Sequence, residues 1–210
     1  MSGHVPVISG AVEGIVDEAV FRRMVRSVRG EPGPVYGKSG KRSLLDRLPG
    51  FNSAARFSPW LVLVDLDQDA DCAPPFCTAA LPAPSNGMCF RVAVRAVESW
   101  LLADRDRFAS FLGVSPARLP EDPDDHPNPK QMVVNLARRS RSRDMAKDLV
   151  PREGSGRSEG PAYASRLIEF ISDDRRGWRP QVAARSSDSL ARCLRSLRRL
   201  VRSPPGGAAQ

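Results

Sequence analysis

Four aspartates follow a run of apolar residues in the segment LVLVDLDQDAD, residues 61–71. A short continuous run of branched apolar residues is typical of a strand that is covered on both faces, as in a parallel sheet. Residues two apart on a strand point to the same face, so Asp65 and Asp67 are predicted to stand side by side at the strand's end. Two carboxylates held this close repel each other unless a cation lies between them. Their oxygens suit Mg²⁺ or Mn²⁺, and the segment therefore predicts a divalent-cation site.

Other sites that contain aspartates two apart fit this segment less well. An EF-hand calcium loop starting at Asp65 requires glycine at its sixth position and glutamate at its twelfth, where the chain has Ala70 and Phe76. Phosphatases of the haloacid-dehalogenase type expect threonine or valine where Asp69 stands. A phosphatase acting on small molecules stays open as an alternative, which predicts release of inorganic phosphate.

A glycine- and lysine-rich segment, YGKSGK at residues 36–41, raises a second phosphate-binding possibility. The P-loop motif would place its first glycine at position 32, where the chain has Pro32, so the spacing excludes that motif. Lys38 and Lys41 remain candidates for phosphate contacts, with solvent-facing loop residues as the alternative.

The first half of the chain alternates strand and helix patterns, which predicts an α/β fold with a mostly parallel sheet flanked by helices. Strands are predicted in the segments HVPVISGAVEG, PWLVLVDLDQD and MCFRVAV and around residues 35–36. Helices are predicted over DEAVFRRMVRSV, SLLDRLPGF and RAVESWLLADRDRFASFLG, the second of them stopped by Pro49 and Gly50. The proline-rich residues 72–86 are predicted to be irregular.

The second half of the chain is predicted to be helical, over KQMVVNLARRS, PAYASRLIEFI and SLARCLRSLRRLVRS, with loops at residues 120–129 and 151–160. The last helix has an arginine face opposite an apolar face. The apolar face is formed by Leu190, Cys193, Leu194, Leu197 and Val201. The predicted organisation is an α/β domain over residues 1–115, a basic helical extension over 116–203 and a disordered tail over 204–210.

Positive charge is concentrated in this extension. Residues 1–130 hold 15 Lys and Arg against 16 Asp and Glu, whereas residues 131–210 hold 17 against 8. A basic segment beside an acidic cluster suits a protein that attracts a polyanion and delivers it to bound cations. A well-solvated surface is the alternative explanation.

The sequence gives no sign of a membrane protein or of a disulfide or zinc framework. No stretch approaches eighteen consecutive apolar residues, and the N-terminal residues lack the pattern of a signal peptide, so we expect a cytoplasmic protein. Cysteines 72, 77, 89 and 193 form no C-x-x-C pair, which disfavours a structural zinc site.

Two segments, in this order, resemble the Toprim domain of topoisomerases, primases and some nucleases. VISGAVEGIVDEAVF matches a strand that ends in Glu-Gly before a helix, with Glu13 and Gly14 on that motif. WLVLVDLDQD matches the later strand that ends in D-x-D. The resemblance covers roughly residues 5–112 and implies a Toprim-like, Rossmann-like sheet.

More narrowly, VEGIVDE, DLDQDADC and RAVESWLLAD are similar to segments of a small bacterial family of stand-alone Toprim-like proteins akin to the RloB-like proteins. That resemblance implies a nuclease effector of an anti-phage defence system. Its substrate would be DNA or RNA, with tRNA as one possible RNA substrate, and its partner would be an ABC-type or OLD-type ATPase. The oligomeric state is left open. The alternative is a non-catalytic Toprim-like subunit that binds nucleic acid or its ATPase partner.

The Toprim resemblance implies roles for the acidic residues. Glu13 would act as general acid or base or as a metal ligand, and Asp65 and Asp67 would hold Mg²⁺; a solvated turn residue is the alternative for Glu13. Asp17, four residues after Glu13, would approach the same cation or cap the helix. Glu98, set among apolar residues, would bind a second metal or pair with an arginine, Arg95 or Arg91.

Basic side chains supply the predicted nucleic-acid contacts, because each phosphate contact adds salt-dependent affinity. The arginine face of the last helix is one such surface, and an acidic surface of a partner protein is its alternative. The candidate residues are Lys38, Lys41, Lys130, Arg192, Arg195 and Arg199.

Overall fold

Four parallel strands form one sheet in the computed structural model, which describes residues 5–205. The strands are β1 (Val7–Val12), β2 (Glu31–Gly37), β3 (Trp60–Asp65) and β4 (Met88–Ala93). They lie in the order β2-β1-β3-β4, and each neighbouring pair is parallel. The predicted α/β fold with a parallel sheet is therefore confirmed, and the short strand expected around residues 35–36 is the end of the longer β2.

Strand β3 is buried along its whole length, as its apolar composition predicts. Leu61 and Leu63 face one hydrophobic layer, whereas Val62 and Val64 face the other. Helices therefore cover both faces of the sheet.

The helices that follow the strands of the first half lie on both faces of the sheet. They are α1 (Ile15–Ser27), α2 (Lys41–Asp46), α3 (Leu48–Ala54), α4 (Ala73–Ala80), α5 (Val97–Leu102) and α6 (Arg105–Leu112). Apolar residues of α1, α5 and α6 share one core cluster, whereas those of α2, α3 and α4 pack in the other. Gly10 lets α1 approach β1 closely, because a Cβ atom there would lie 2.8 Å from the Phe21 ring.

Three local predictions in this half are wrong. Pro49 does not stop a helix, because it lies in the first turn of α3, where proline is tolerated. The segment 72–86 is not wholly irregular, because its adjacent prolines begin α4 in the same way. The long helix predicted over residues 95–113 is two helices, α5 and α6, separated at Ala103 and Asp104; Gly113, at φ +68°, ends the second.

The remaining helices lie on the same face as α1 and join its core. They are α7 (Pro129–Ala137), α8 (Arg143–Leu149), α9 (Tyr163–Ser172), α10 (Pro180–Ala183) and α11 (Asp188–Arg202), with short 3₁₀ turns at Pro116–Arg118 and Pro123–Asp125. The sequence patterns missed α8 and α10. The boundary proposed at residue 115 stays a prediction, although the helices beyond it share one core with α1 and the sheet. Most of the predicted tail, residues 206–210, lies outside the described residues.

Helix α11 packs as its periodicity predicts. Its buried apolar residues are Leu190, Cys193, Leu194, Leu197 and Leu200, and Val201 is only partly buried. Ser187 caps the helix, since its hydroxyl accepts a hydrogen bond from the Leu190 N–H. The arginine face of the helix points to solvent.

A buried ion pair ties the late helices to the early ones. The Asp104 carboxylate, 0% exposed, accepts hydrogen bonds from the backbone N–H of Arg179 at 2.9 Å and from its guanidinium at 3.0 and 2.5 Å.

Arg179→Met should lower the free energy of unfolding by about 2 kcal/mol, because it leaves a buried carboxylate without its cation. Urea unfolding measures this, with Arg192→Met as control, because the Arg192–Asp188 pair is exposed and should matter little. Equal effects of the two variants would contradict the prediction.

Candidate metal centre

The carboxyl edge of the sheet carries the candidate site, at the gap between β1 and β3. The connection after β1 leads to β2 on one side, and the connection after β3 leads to β4 on the other. Such a change of direction opens a crevice at the carboxyl ends of the two strands. Glu13 directly follows β1, and Asp65 is the last residue of β3, so both lie at this crevice.

Glu13 and Asp65 are in direct contact. The backbone N–H of Asp65 donates to Glu13 Oε1 at 2.8 Å, across 52 residues of sequence. The Asp65 side chain, almost fully buried, accepts a hydrogen bond at Oδ1 from the backbone N–H of Val97 at 2.9 Å. Its second oxygen, Oδ2, lies 3.3 Å from Lys130 Nζ. The structure thus brings together the ends of β1 and β3, which carry two of the acids to which the Toprim resemblance gives roles.

Two more carboxylates complete an acidic cluster, which comprises the buried Asp17, Asp65 and Glu98 and the partly buried Glu13. Asp17 lies in the first turn of α1 but does not cap it, since the N-cap residue is Gly14 and no side-chain cap is formed. Glu98, in the first turn of α5, is 2% exposed. Its Oε1 accepts a hydrogen bond from the Tyr163 hydroxyl at 3.2 Å, and its Oε2 is buried without a hydrogen-bond partner among the described residues.

The arginines proposed as partners of Glu98 bond elsewhere. Arg95 donates to the backbone carbonyls of Asp67, Ala70 and Asp71, and so holds the loop that follows β3. Arg91 donates to the Phe90 carbonyl and to Ser196. The arginine pairing offered as an alternative for Glu98 is therefore wrong in this structure, and the carboxylate is instead close enough to Asp65 and Lys130 for their charges to act on its pKa.

Burial makes all members of the cluster easier to protonate. Desolvation raises the pKa of Glu13 to about 7, with the negative charge of Asp65 adding to the effect. Desolvation also raises the pKa of Glu98 to about 7, even though Lys130 opposes the shift. The pKa of Asp17 lies well above its usual value because of burial and the nearby charges of Asp65 and Glu98. The pKa of Asp65 is raised by burial, against the pull of Lys130. The cluster is thus electrostatically strained when it is fully ionised.

Asp67 does not stand beside Asp65 as the strand pattern predicts. Strand β3 ends at Asp65, and Asp67 has left-handed backbone geometry, with φ +50°. Its side chain is about half exposed and accepts a hydrogen bond from Lys41 Nζ at 2.6 Å, which also bonds Asp69 at 2.7 Å. Alternation of side chains applies only within a strand, so the same-face argument fails here. Asp67 lies at the rim of the acidic cluster, where its charge still raises the pKa of Glu13 and Asp65.

Lysines surround the acids. Lys130, in the first turn of α7, is half exposed, and the carboxylates of Glu98 and Asp65 raise its pKa although burial acts in the opposite direction. Lys41 begins α2 and reaches Asp67, whereas Lys38 pairs with Glu18 at 3.0 Å. All three lysines among the predicted phosphate contacts therefore bond carboxylates, two of them at the candidate site.

The donor set fits a hard divalent cation. Four carboxylates lie near enough at one sheet edge to shift one another's pKa, and one of their oxygens, Oε2 of Glu98, has no hydrogen-bond partner among the described residues. Mg²⁺ and Mn²⁺ prefer such oxygen ligands. Across residues 5–205, no three acidic, histidine or cysteine side chains form a ready-made metal-binding group, and the Lys130 ammonium lies against Asp65. Glu13, Asp17, Asp65 and Glu98 are the residues that would hold the ion.

Sequence reasoning missed Tyr163 and the role of Arg95. Tyr163 lies in PAYASRLIEFI, where its position on the apolar face of α9 indicated only a core residue. Its hydroxyl reaches Glu98 from 65 residues away, a contact without local signal. Nothing in the sequence between Asp67 and Asp71 indicates that the Arg95 side chain donates hydrogen bonds to the backbone of this loop.

The arginines of α11 lie apart from the acidic cluster. Arg192 pairs with Asp188 at 2.6 Å, and Arg199 donates to Ser196. Together with Arg195 they line a groove of about 1150 Å³ between α4 and α11. The structure therefore separates the predicted nucleic-acid contacts, with Lys41 and Lys130 at the candidate site, Lys38 beside Glu18, and the arginines along this groove.

These features define an α/β protein with a four-stranded, all-parallel, Rossmann-like sheet and an acidic cluster at the carboxyl edge. Comparisons with protein-family models, curated proteins and solved structures found no match. Among residues 5–205, no helix has the length and apolar character needed to cross a membrane.

Proposed function

We propose that this protein is a Mg²⁺- or Mn²⁺-dependent nuclease of Toprim-like fold that hydrolyses phosphodiester bonds in DNA or RNA. The observation that carries the proposal is the cluster of three buried acids, Asp17, Asp65 and Glu98, with the partly buried Glu13 at the crevice between β1 and β3. Burying three carboxylates beside a fourth is costly unless a cation compensates their charge. Stability alone gives little reason to keep such a cluster.

The residues of the cluster suit phosphodiester chemistry. Glu13, with a pKa raised to about 7, can both accept and release a proton near neutral pH, as a general acid or base must. Its Oε1 is fixed by the Asp65 N–H, which orients the carboxylate. A divalent ion bound there supplies charge neutralisation at the phosphate and lowers the pKa of the attacking water. Lys130 and Lys41 add positive charge beside the site for the substrate phosphates.

The resemblance to Toprim proteins supports the same assignment. The Glu-Gly motif follows β1, and the first aspartate of D-x-D ends β3, in the order that the resemblance implies. We extend the proposal to a cytoplasmic effector of anti-phage defence with an ABC-type or OLD-type ATPase partner. This extension is supported only by the likeness of VEGIVDE, DLDQDADC and RAVESWLLAD to the RloB-like proteins.

Incubation of the purified protein with plasmid, single-stranded DNA and total tRNA tests the proposal. Cleavage of at least one of them is expected with Mg²⁺ or Mn²⁺, and none with EDTA. Release of inorganic phosphate from small phosphate monoesters, without polymer cleavage, would instead indicate the phosphatase alternative. No metal-dependent hydrolysis of any of these substrates would contradict the proposal.

A non-catalytic Toprim-like subunit is the second candidate, and one observation favours it. Lys130 lies against Asp65, and Lys41 bonds both Asp67 and Asp69, so lysines already neutralise part of the acidic charge. In such a protein the acids and lysines would form a structural network, and binding to nucleic acid or to an ATPase would be the function. The Asp65 variant described below separates the two candidates.

A further inference from the structure

A long groove runs along the outer edge of β4, between α4 on one face of the sheet and α11 on the other. Strand β4 is the last strand of the sheet, so one of its edges pairs with no other strand of residues 5–205. The groove of about 1150 Å³ continues into a second cavity of about 430 Å³, because both are lined by Arg91, Ser196, Arg199 and Arg202. From Met88 to Val94 the groove follows about 20 Å of strand.

The groove is strongly basic. Its arginines are Arg91, Arg192, Arg195, Arg198, Arg199 and Arg202. Asp71, Asp124 and Asp188 also line it, but Asp188 is paired with Arg192 and Asp124 accepts hydrogen bonds from Ser187 and Ser189. Within residues 5–205, Arg195, Arg199 and Arg202 form no ion pair. Their charge is therefore available to an anionic ligand.

The spacing of these arginines suits a polymer with repeated phosphates. Arg192, Arg195, Arg199 and Arg202 recur on one face of α11, about one helical turn apart, which is about 5.4 Å along the axis. Opposite them, Ala73 and Pro74 provide an apolar wall. Unpaired bases can lie against such a wall or stack on guanidinium planes, whereas a duplex keeps its bases inside.

The groove also leads toward the metal centre. At one end it is lined by Val94 and Asp71. Asp71 belongs to the loop after β3, and Arg95 holds its carbonyl. Ala93, next to Val94, is the register partner of Asp65. A strand lying in the groove would thus arrive at the same carboxyl edge that holds the acidic cluster.

We propose that this groove binds a single-stranded segment of nucleic acid and guides it to the metal centre. The proposal rests on the nuclease function and specifies its substrate class, a single strand or a single-stranded region. The α11 guanidiniums contact the phosphates, and the bases face the apolar wall on α4.

Addition of an acidic peptide as a fifth strand is the competing occupant of an open sheet edge. The carbonyls of Gly87, Ala93 and Arg95 accept hydrogen bonds from the β3 segment. Because the backbone groups of successive strand residues point in opposite directions, those of Phe90 point away from β3, toward the open edge. The Arg91 guanidinium already donates to the Phe90 carbonyl at 2.8 Å. This bond occupies an acceptor that an added strand would use, which favours nucleic acid.

Binding is tested in EDTA, so that no cleavage is required. Fluorescence anisotropy is measured with a labelled single-stranded DNA or RNA oligonucleotide, its duplex and an acidic peptide. The variant Arg195→Ala/Arg199→Ala/Arg202→Ala should weaken single-strand binding at least about tenfold and lower the salt slope by about 2. The control Arg138→Ala/Arg141→Ala/Arg143→Ala removes three exposed arginines from other segments and should bind as wild type. Equal affinities of the two variants would overturn the proposal.

A thiol in the groove gives a second readout in the intact protein. Cys72 is exposed and lines the groove, whereas Cys89 and Cys193 are buried. In a Cys77→Ser background, the single strand should slow maleimide modification of Cys72, and its duplex or an acidic peptide should not. Unchanged modification, or stronger protection by the duplex or the peptide, would overturn the proposal. If the single strand binds and protects but Mg²⁺ yields no cleavage, the nuclease function fails and the groove assignment stands.

Discussion

Asp65→Asn is expected to lower metal-dependent cleavage at least about 100-fold while the protein remains folded. Asp65 contacts three other parts of the site. Its N–H orients Glu13, its Oδ1 accepts a hydrogen bond from Val97, and its Oδ2 lies against Lys130. The asparagine oxygen can still accept the Val97 hydrogen bond, so the loop before α5 should hold its place. What is lost is the negative charge that would bind the cation.

The same variant has a second readout, because it should also lose the stabilisation that Mg²⁺ or Mn²⁺ gives to the wild type. Thermal unfolding with and without metal measures this, and Asp46→Asn is the matched control, an exposed aspartate in α2 that forms no ion pair among the described residues. A variant that keeps both cleavage and metal-induced stabilisation would remove the nuclease proposal. Retained nucleic-acid binding and biological activity without metal-induced stabilisation would favour the non-catalytic subunit.

Metal affinity is expected to fall about 100-fold between pH 8 and pH 6. Ligand carboxylates must be deprotonated, and the pKa values of Glu13 and Glu98 are both raised to about 7. At pH 8 both carboxyl groups are mostly ionised, whereas at pH 6 each is mostly protonated. The protonation of each group lowers the metal affinity about tenfold. Titration with Mn²⁺, followed by calorimetry at several pH values, gives the slope. A constant affinity across this range would contradict the assignment of both glutamates as ligands.

Without metal, stability should depend on pH in the opposite direction. The pKa of Glu98 in the folded protein, about 7, lies above its ordinary value of 4.5, so the folded state binds more protons than the unfolded state between these values. The free energy of unfolding in EDTA should therefore fall as the pH rises from about 5 to about 8, and Glu98→Gln should reduce the slope. A wild-type protein that gains stability over this range in EDTA would show that the buried acids are already compensated.

The sequence predicts those parts of the molecule that depend on local pattern. The apolar run of β3, the two-sided covering of the sheet and the amphipathic α11 follow from residue types at fixed spacing, and all three are confirmed. The meeting of Glu13 and Asp65 follows from one further rule, that the carboxyl ends of parallel strands lie at one edge.

The remaining parts depend on contacts or backbone geometry that no local pattern encodes. Tyr163 and Lys130 reach Glu98 and Asp65 across 65 residues, and nothing in their own segments marks them as partners of a carboxylate. Asp67 departs from the strand because the backbone turns into a left-handed conformation, which aspartate tolerates better than most residues. Proline, finally, ends some helices and begins others, and α3 and α4 are of the second kind.

The early strands and the late helices share one core. This arrangement affects when the candidate metal site can form during protein synthesis. Strand ends carrying Glu13 and Asp65 emerge early, but Lys130 and Tyr163 belong to α7 and α9, which are made much later. Contacts between segments this far apart in the sequence cannot form until the later segment has been made, and such non-local contacts slow folding. A nascent chain in which α7 and α9 have not yet been made therefore carries the acids without the helices that enclose them.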